Sequence, residues 1–177
     1  MEFTKVTEDY IYGLKLNVFQ DFRGRSLELP EKVIPEINFH GVRTLIVNNL
    51  ESLTLRGLHF QKKPMNEKKI VICLSGSIFD VIVNLEKKSN DYLKAYVFNL
   101  GIDFEFQGLL IPGNYAHGYL TLEPNTSLAY HFDKEYSEVH SDGIYWDSPL
   151  LNIPWPHTPK YISSKDSSFK DAEKLQY

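Results

Sequence analysis

The sequence predicts an all-β protein built from two packed sheets. Its 11 Tyr, 11 Phe and 2 Trp favour strands, because aromatic side chains fit the pleated, half-buried surface of a sheet. The 9 prolines and 10 glycines punctuate the chain and leave little room for long helices. Short apolar runs recur between these turn signals, a spacing typical of a sandwich or a barrel.

The predicted strands follow one another from residue 42 to residue 132. They are the runs VRTLIVNNL, LRGLHF, KIVICL, SIFDVIVNL, KAYVFNL, FEFQGLLI, AHGYLTL and TSLAYHF. KIVICL and SIFDVIVNL are apolar at nearly every position, which indicates burial on both faces and therefore two stacked sheets. Leu74–Ile78 predicts a tight turn around Gly76, and Leu110–Asn114 ends a strand. Short helices are expected only within Leu29–Ile37 and Ser167–Gln176.

Length, charge and cysteine content exclude several classes of protein. The 177 residues suit a single domain, 1–177, and no apolar run is long enough for a membrane span. The N-terminus does not resemble a signal peptide, so we expect a cytoplasmic protein without a membrane partner. The 19 basic and 23 acidic residues give a net charge of −4, which predicts no nucleic-acid partner. Cys73 is the single cysteine, so no disulfide framework or multi-cysteine metal site is expected.

One predicted strand carries three polar side chains where apolar ones would be expected. Arg56, His59 and Gln61 occupy LRGLHFQ, and a lysine-rich loop ending at Lys69 follows. A buried strand must satisfy such groups or lose stability, which favours a ligand site here. Strict alternation puts Arg56 and His59 on opposite faces, so both reach one pocket only if Gly57 permits a bulge or the end of the strand twists.

Two further strands contribute candidate residues. Leu128, Tyr130 and Phe132 share one face of TSLAYHF, so Tyr130 is expected to point into the apolar interior. A buried phenol is often merely hydrogen-bonded, and Tyr130 alone does not decide between a structural and a chemical role. His117 follows a Pro-Gly turn and raises the question of a metal. Such centres generally use about three protein ligands, often a His-x-His pair, and the sequence has no His-x-His, so no metal is expected.

Eight segments occur in one order along most of the chain. They are Phe19-x-Asp21-x-Arg23-Gly24-x-x-x-Glu28, Leu55–Gln61, Lys69-Ile-Val, Gly76-x-x-x-Asp80-Val-x-Val, Ile111–Gly118, Tyr130…Tyr136, Trp146…Pro149 and Ser164–Asp166. With these segments the chain resembles the dTDP-4-dehydrorhamnose 3,5-epimerase family, and LRGLHFQ followed by I-P-x-x-x-A-H-G is a specific signal. The resemblance implies a cupin-type jelly roll, or double-stranded β-helix, with a few short helices and no cofactor.

The resemblance also implies an activity and the residues that carry it. The implied enzyme is an isomerase that inverts C3 and/or C5 of a nucleotide-linked 4-keto-6-deoxy sugar through an enolate, in deoxysugar biosynthesis. His59 is the implied base, and Asp166 orients it. Tyr130 is the implied acid on the opposite face, and Lys69 lies near the C4 oxygen. The implied substrate contacts are Arg23, Glu28, Asn49, Arg56, Gln61, His117, Tyr136 and Lys165. Among them the two arginines bind the diphosphate, and the Tyr136 ring stacks on the nucleobase.

The implied assembly is a homodimer in which the segment bearing Arg23 and Glu28 enters the site of the partner subunit. Departures from the family pattern leave the substrate open. Ser141 stands where the family often has an acidic residue, and Val47–Ser52 is short. The nucleotide, dTDP, GDP or CDP, and the inverted centre therefore stay open. A ketoisomerase and a non-catalytic nucleotide-sugar-binding cupin are the alternative functions.

Overall fold

The computed structural model describes residues 1–7, 10–30, 33–34 and 38–175. The strands in these residues are β1 (Glu2–Lys5), β2 (Tyr12–Lys15), β3 (Val18–Asp21), β4 (Gly24–Leu27), β5 (Val33–Ile34), β6 (Phe39–His40), β7 (Arg43–Asn49), β8 (Thr54–Gln61), β9 (Lys69–Ser75), β10 (Ser77–Asn84), β11 (Ala95–Gly101), β12 (Gly108–Ile111), β13 (Tyr115–Thr121), β14 (Thr126–Phe132), β15 (Ser141–Gly143) and β16 (Tyr161–Ile162). The helical segments among these described residues are one short α-helix, α1 (Ser164–Ser167), and the two 3-10 turns Pro149–Leu151 and Ala172–Lys174.

Two large sheets carry the fold. The first has the strand order β1-β2-β12-β9-β14-β7, and the second has the order β11-β10-β13-β8-β15, with β16 also paired to β8. From β7 to β14 the chain crosses between the sheets at every step except the β10–β11 hairpin. This winding is the jelly roll that the resemblance implies, so the all-β prediction is confirmed.

The core explains why the central strands are apolar throughout. Val71 and Cys73 of β9 lie in the cluster between the two sheets, whereas Ile70 and Ile72 pack on the outer side of the first sheet. Strand β10 is likewise buried on both faces, with Ile78 and Ile82 in the inner cluster and Val81 and Val83 in the outer one. The prediction of two stacked sheets is therefore confirmed.

The turns agree with the prediction better than the helices do. Gly76 has φ 70° between β9 and β10, where a Cβ atom would lie 2.3 Å from Thr126 Oγ1. Within the stretch Leu29–Ile37, where a short helix was predicted, Val33–Ile34 form strand β5. The helix prediction is therefore wrong for these two residues. Residues 31–32 and 35–37 lie outside the described part of the chain. Within the predicted Ser167–Gln176 the chain forms only the last residue of α1 and the 3-10 turn Ala172–Lys174, and Gln176 lies outside the described residues. Helix α1 itself begins at Ser164, where Ser163 caps it. No helix in the described part of the chain has the length and apolarity to cross a membrane.

Candidate active site

A cavity of about 250 Å³ opens between the two sheets. Strands β7, β9 and β14 of the first sheet form one wall, and β8 and β13 of the second sheet form the wall opposite. The predicted site residues that line it are Arg56, His59, Gln61, Lys69, His117, Tyr130, Tyr136 and Lys165. The fold therefore gathers most of the predicted residues in one place.

A bulge in β8 allows Arg56 and His59 to share this cavity. His59 pairs with His117 and Arg56 pairs with Tyr119, so β8 carries one more residue than β13 between the two pairs. Gly57 has φ 127°, and a Cβ atom there would lie 2.5 Å from the neighbouring backbone of β13. Only glycine suits both the dihedral angle and the close approach. The predicted bulge at Gly57 is confirmed.

His59 is held by a carboxylate from the far end of the chain. Its Nε2 lies 2.8 Å from Asp166 Oδ1, and the backbone N–H of Gly57 donates to Asp166 Oδ2 at 3.1 Å. Burial opposes ionisation of Asp166, but the hydrogen bonds from His59 and Gly57 hold its pKa below the usual value. Because a carboxylate only accepts, Nε2 carries the proton of this hydrogen bond, and Nδ1 is the ring nitrogen that is left to act as a base. The His59 side chain is 45% exposed, so this ring is accessible.

Tyr130 lines the wall opposite His59. It projects inward from β14 with Leu128 and Phe132, as predicted, and stacks on Phe132 with ring centroids 5.5 Å apart. Burial raises the pKa of Tyr130 well above its usual value, so the phenol keeps its proton at neutral pH. The His117 ring meets its edge at 5.9 Å, and His117 Nε2 lies 2.7 Å from the buried Asp80 Oδ2.

Two cations approach the cavity from different strands. Lys69 is almost completely buried, and burial lowers its pKa although the nearby Glu67 opposes that shift. Arg56 donates from Nε to Asn49 Oδ1 at 2.9 Å. Asn49 itself is buried, accepts a second hydrogen bond from Tyr119 and donates to a backbone carbonyl, and it does not line the cavity. Its contact is with Arg56, which it positions.

Gln61 lines the cavity but has its side chain fully engaged by the protein. Its Nε2 donates to Glu67 and to the carbonyls of Met65 and Glu135, and its Oε1 accepts from the Ser137 N–H at 2.6 Å. These bonds fix the segment around Tyr136, whose ring forms the mouth of the cavity. Lys165 lies at the same mouth on α1.

Arg23 and Glu28 lie apart from the cavity within one chain. They belong to the β3–β4 hairpin and the residues after it, where Arg23 is 77% exposed and pairs with Asp21 at 2.6 Å. Glu28 accepts a hydrogen bond from Asn17 at 2.7 Å. A single chain therefore does not bring these two predicted contacts to the site.

Two charged residues that line the cavity were not predicted from the sequence. Arg43 begins β7 and places its guanidinium 3.9 Å from the centre of the Phe132 ring, and its Nη2 lies 3.3 Å from Glu67 Oε2. Alternation offered a signal for Arg43, because it shares a face of β7 with Leu45 and Val47, which also line the cavity. Glu67 gave no comparable signal, since it stands among lysines in a loop that reads as solvated.

The residues that the structure describes contain no group of three or more His, Cys, Asp or Glu side chains placed to hold a metal ion. The groups that the cavity brings together are instead a basic imidazole, a protonated phenol and cationic side chains. Acid–base chemistry on an anionic substrate is what such groups can perform.

The jelly roll and this cavity define a cupin-type acid–base isomerase as the class of protein. The sequence model of the dTDP-4-dehydrorhamnose 3,5-epimerase family matches residues 5–174. The chain therefore belongs to the dTDP-4-dehydrorhamnose 3,5-epimerase family.

Individual relatives agree with this assignment. A dTDP-4-dehydrorhamnose 3,5-epimerase from Shigella flexneri is 35% identical over 176 residues, which cover 96% of this chain and 96% of that one. One from Sinorhizobium fredii is 39% identical over 129 residues, which cover 70% of this chain and 66% of that one. The crystal structure of a dTDP-4-dehydrorhamnose 3,5-epimerase from Bacillus anthracis, with TDP and PPi bound, is 33% identical with a TM-score of 0.83, covering 95% of this chain and 98% of that one.

Proposed function

We propose that this protein inverts C3 and/or C5 of a nucleotide-linked 4-keto-6-deoxy sugar, in cytoplasmic deoxysugar biosynthesis. The observation that carries the proposal is the placement of His59 and Tyr130 on facing walls of one cavity. A C4 carbonyl acidifies the protons on C3 and C5, and inversion removes a proton from one face and returns it to the other. A base and an acid on opposite walls meet that requirement.

In the proposed reaction each group has a distinct role. His59 takes the proton through the nitrogen that Asp166 leaves free. Lys69 lies at the cavity floor and stabilises the negative charge that develops on the C4 oxygen. Tyr130 then donates its proton to the opposite face of the enolate, and His117 contacts the sugar beside it.

The nucleotide is proposed to lie at the cavity mouth. Arg56 and Lys165 are exposed cations there and suit a diphosphate, and the half-exposed Tyr136 ring suits stacking on a nucleobase. The relative from Bacillus anthracis binds TDP. A dTDP-linked sugar is therefore the first substrate to test.

Incubation with dTDP-4-keto-6-deoxyglucose in D₂O tests the proposed function. We expect deuterium at C3, at C5 or at both, together with an epimerised product identified by NMR, and the labelled position identifies the inverted centre. The GDP- and CDP-linked sugars serve as parallel substrates. If all three sugar nucleotides bind but none exchanges hydrogen, the proposal is contradicted and the protein is a binding protein. A product whose carbonyl has moved from C4 to C3 would identify a ketoisomerase.

We also propose a homodimer in which the β3–β4 hairpin of one copy completes the cavity mouth of the other. The hairpin presents apolar side chains to solvent, with Phe22 98% exposed and Phe19 also exposed. Strand β7 ends the first sheet, and its exposed Leu45 lines the cavity. These apolar surfaces need a cover, and the hairpin would bring Arg23 to the bound diphosphate.

Arg23→Ala should raise KM by about 10- to 100-fold with little effect on kcat, because it removes a charged hydrogen bond to bound substrate. Arg25→Ala, on the same hairpin, is the matched control and should keep the wild-type KM. Mixing Arg23→Ala with inactive His59→Asn after subunit exchange should restore low-KM activity, since one site of the mixed dimer then has both residues. Absence of rescue, or a monomer in analytical ultracentrifugation, would contradict the shared site.

A further inference from the structure

One buried carboxylate connects three donors of the cavity wall. Glu67 lies in the loop between β8 and β9, and its Oε2 accepts from Gln61 Nε2 at 2.8 Å and from Arg43 Nη2 at 3.3 Å. Its Oε1 lies 3.5 Å from Lys69 Nζ. The donors come from β7, β8 and β9, and all of them line the cavity. Gln61 and Arg43 therefore both hold Oε2, while Oε1 faces Lys69.

This part of the wall has an excess of positive charge that needs compensation. The Lys69 side chain is only 5% exposed, and its desolvation and the nearby Arg43 both favour the neutral amine. Glu67 acts in the opposite direction and favours the ammonium. Asp80 from β10 also favours the ammonium. The other titratable or charged groups that line the cavity with Lys69 are Arg56 and His59 from β8, His117 and Tyr119 from β13, Tyr130 from β14, and Tyr136 and Lys165. Asp80 is held by His117 at 2.7 Å, so Glu67 is the carboxylate in direct contact with Lys69.

We propose that Glu67 is a positioning residue that keeps Lys69 charged and directs its ammonium into the cavity. The inference rests on the proposed function, because a developing oxyanion is stabilised by an ammonium far better than by a neutral amine. Lys69 is effective only below its own pKa. Removal of Glu67 lowers that pKa, so activity should be lost at a lower pH than in the wild type.

Arg43 provides an internal check on this electrostatic role. Its charge disfavours the Lys69 ammonium, and its guanidinium is held in place by Phe132 as well as by Glu67. Loss of Arg43 should therefore oppose the loss of Glu67. In a variant that lacks both, Lys69 should regain part of its wild-type titration.

A lysine titration tests the charge of Lys69 without any substrate. Protein carrying ¹³Cε-labelled lysine is titrated by NMR, and Lys69→Met assigns the resonance. Glu67→Gln should lower the Lys69 midpoint by at least about one pH unit, Glu67→Asp should lower it less, and Arg43→Met with Glu67→Gln should recover part of the shift. Glu105→Gln, at an exposed carboxylate, is the control and should leave the midpoint unchanged. An unmoved midpoint in folded Glu67→Gln protein overturns the inference, and Glu67→Asp serves the same test if Glu67→Gln does not fold.

Kinetics then separate positioning from a merely structural role. The alkaline limb of kcat in Glu67→Gln should move to lower pH with the lysine midpoint, while KM changes little. The ratio of wild-type to variant kcat should fall toward one as the pH is lowered, because Lys69 regains its proton. A ratio that is constant with pH overturns the inference. A further outcome is that the wild-type protein exchanges no substrate hydrogen in D₂O with the dTDP-, GDP- or CDP-linked sugar while the Lys69 midpoint still moves as expected in Glu67→Gln. In that case the proposed function fails, and the control of the Lys69 charge by Glu67 stands.

Discussion

His59→Asn should reduce hydrogen exchange at C3 and C5 by about 10²- to 10⁴-fold, the range that a general base contributes. Asparagine retains an N–H that can donate to Asp166, so the pocket keeps its carboxylate partner while it loses the basic nitrogen. Deuterium incorporation from D₂O, followed by NMR, measures the loss. Calorimetric titration with dTDP should give nearly wild-type affinity, because the nucleotide is proposed to lie at the mouth of the cavity.

Two comparisons make this result specific to the base. His157→Asn, at an exposed histidine outside the cavity, should exchange at the wild-type rate. Asp166→Asn should also lose exchange, since His59 then has no carboxylate to hold its tautomer and orientation. Turnover retained in folded His59→Asn protein would show that another group removes the proton.

The central strands could be predicted from sequence because a strand that is buried on both faces is apolar at nearly every position. Strands β9 and β10 are apolar runs, and nothing distant is needed to recognise them. The short strands are different. The residues of β15, Ser141–Gly143, have turn-forming composition and pair with β8 only because that strand offers a free edge. Such pairing depends on a sheet assembled from distant residues.

The site was predictable where alternation or glycine marked it. The bulge at Gly57 and the inward face of β14 both follow from local rules, and they bring His59 and Tyr130 to one cavity. Asp166 required the family resemblance, since it lies 107 residues from His59 along the chain. Neither local rules nor the resemblance pointed to Glu67, because its partners Arg43 and Gln61 lie on strands β7 and β8.

Tyr130→Phe should separate proton removal from inversion. We expect epimerised product to fall by about 10²- to 10⁴-fold while deuterium still enters recovered substrate. His59 can still remove a proton and return a deuteron to the same face, but no acid remains on the other wall. Phenylalanine preserves the stacking on Phe132 and the contact with the His117 ring, so the wall should keep its shape.

The ratio of deuterium in recovered substrate to deuterium in product measures this separation directly. Tyr119→Phe is the matched control, because it removes a buried phenol of the same cavity that bonds Asn49. That change should affect substrate affinity through Arg56 and leave the ratio unchanged. Equal loss of exchange and of inversion in Tyr130→Phe would contradict the proposed role of the phenol as the acid. The phenol would then act in proton removal, on the side of the base, and water or the substrate would supply the proton for reprotonation.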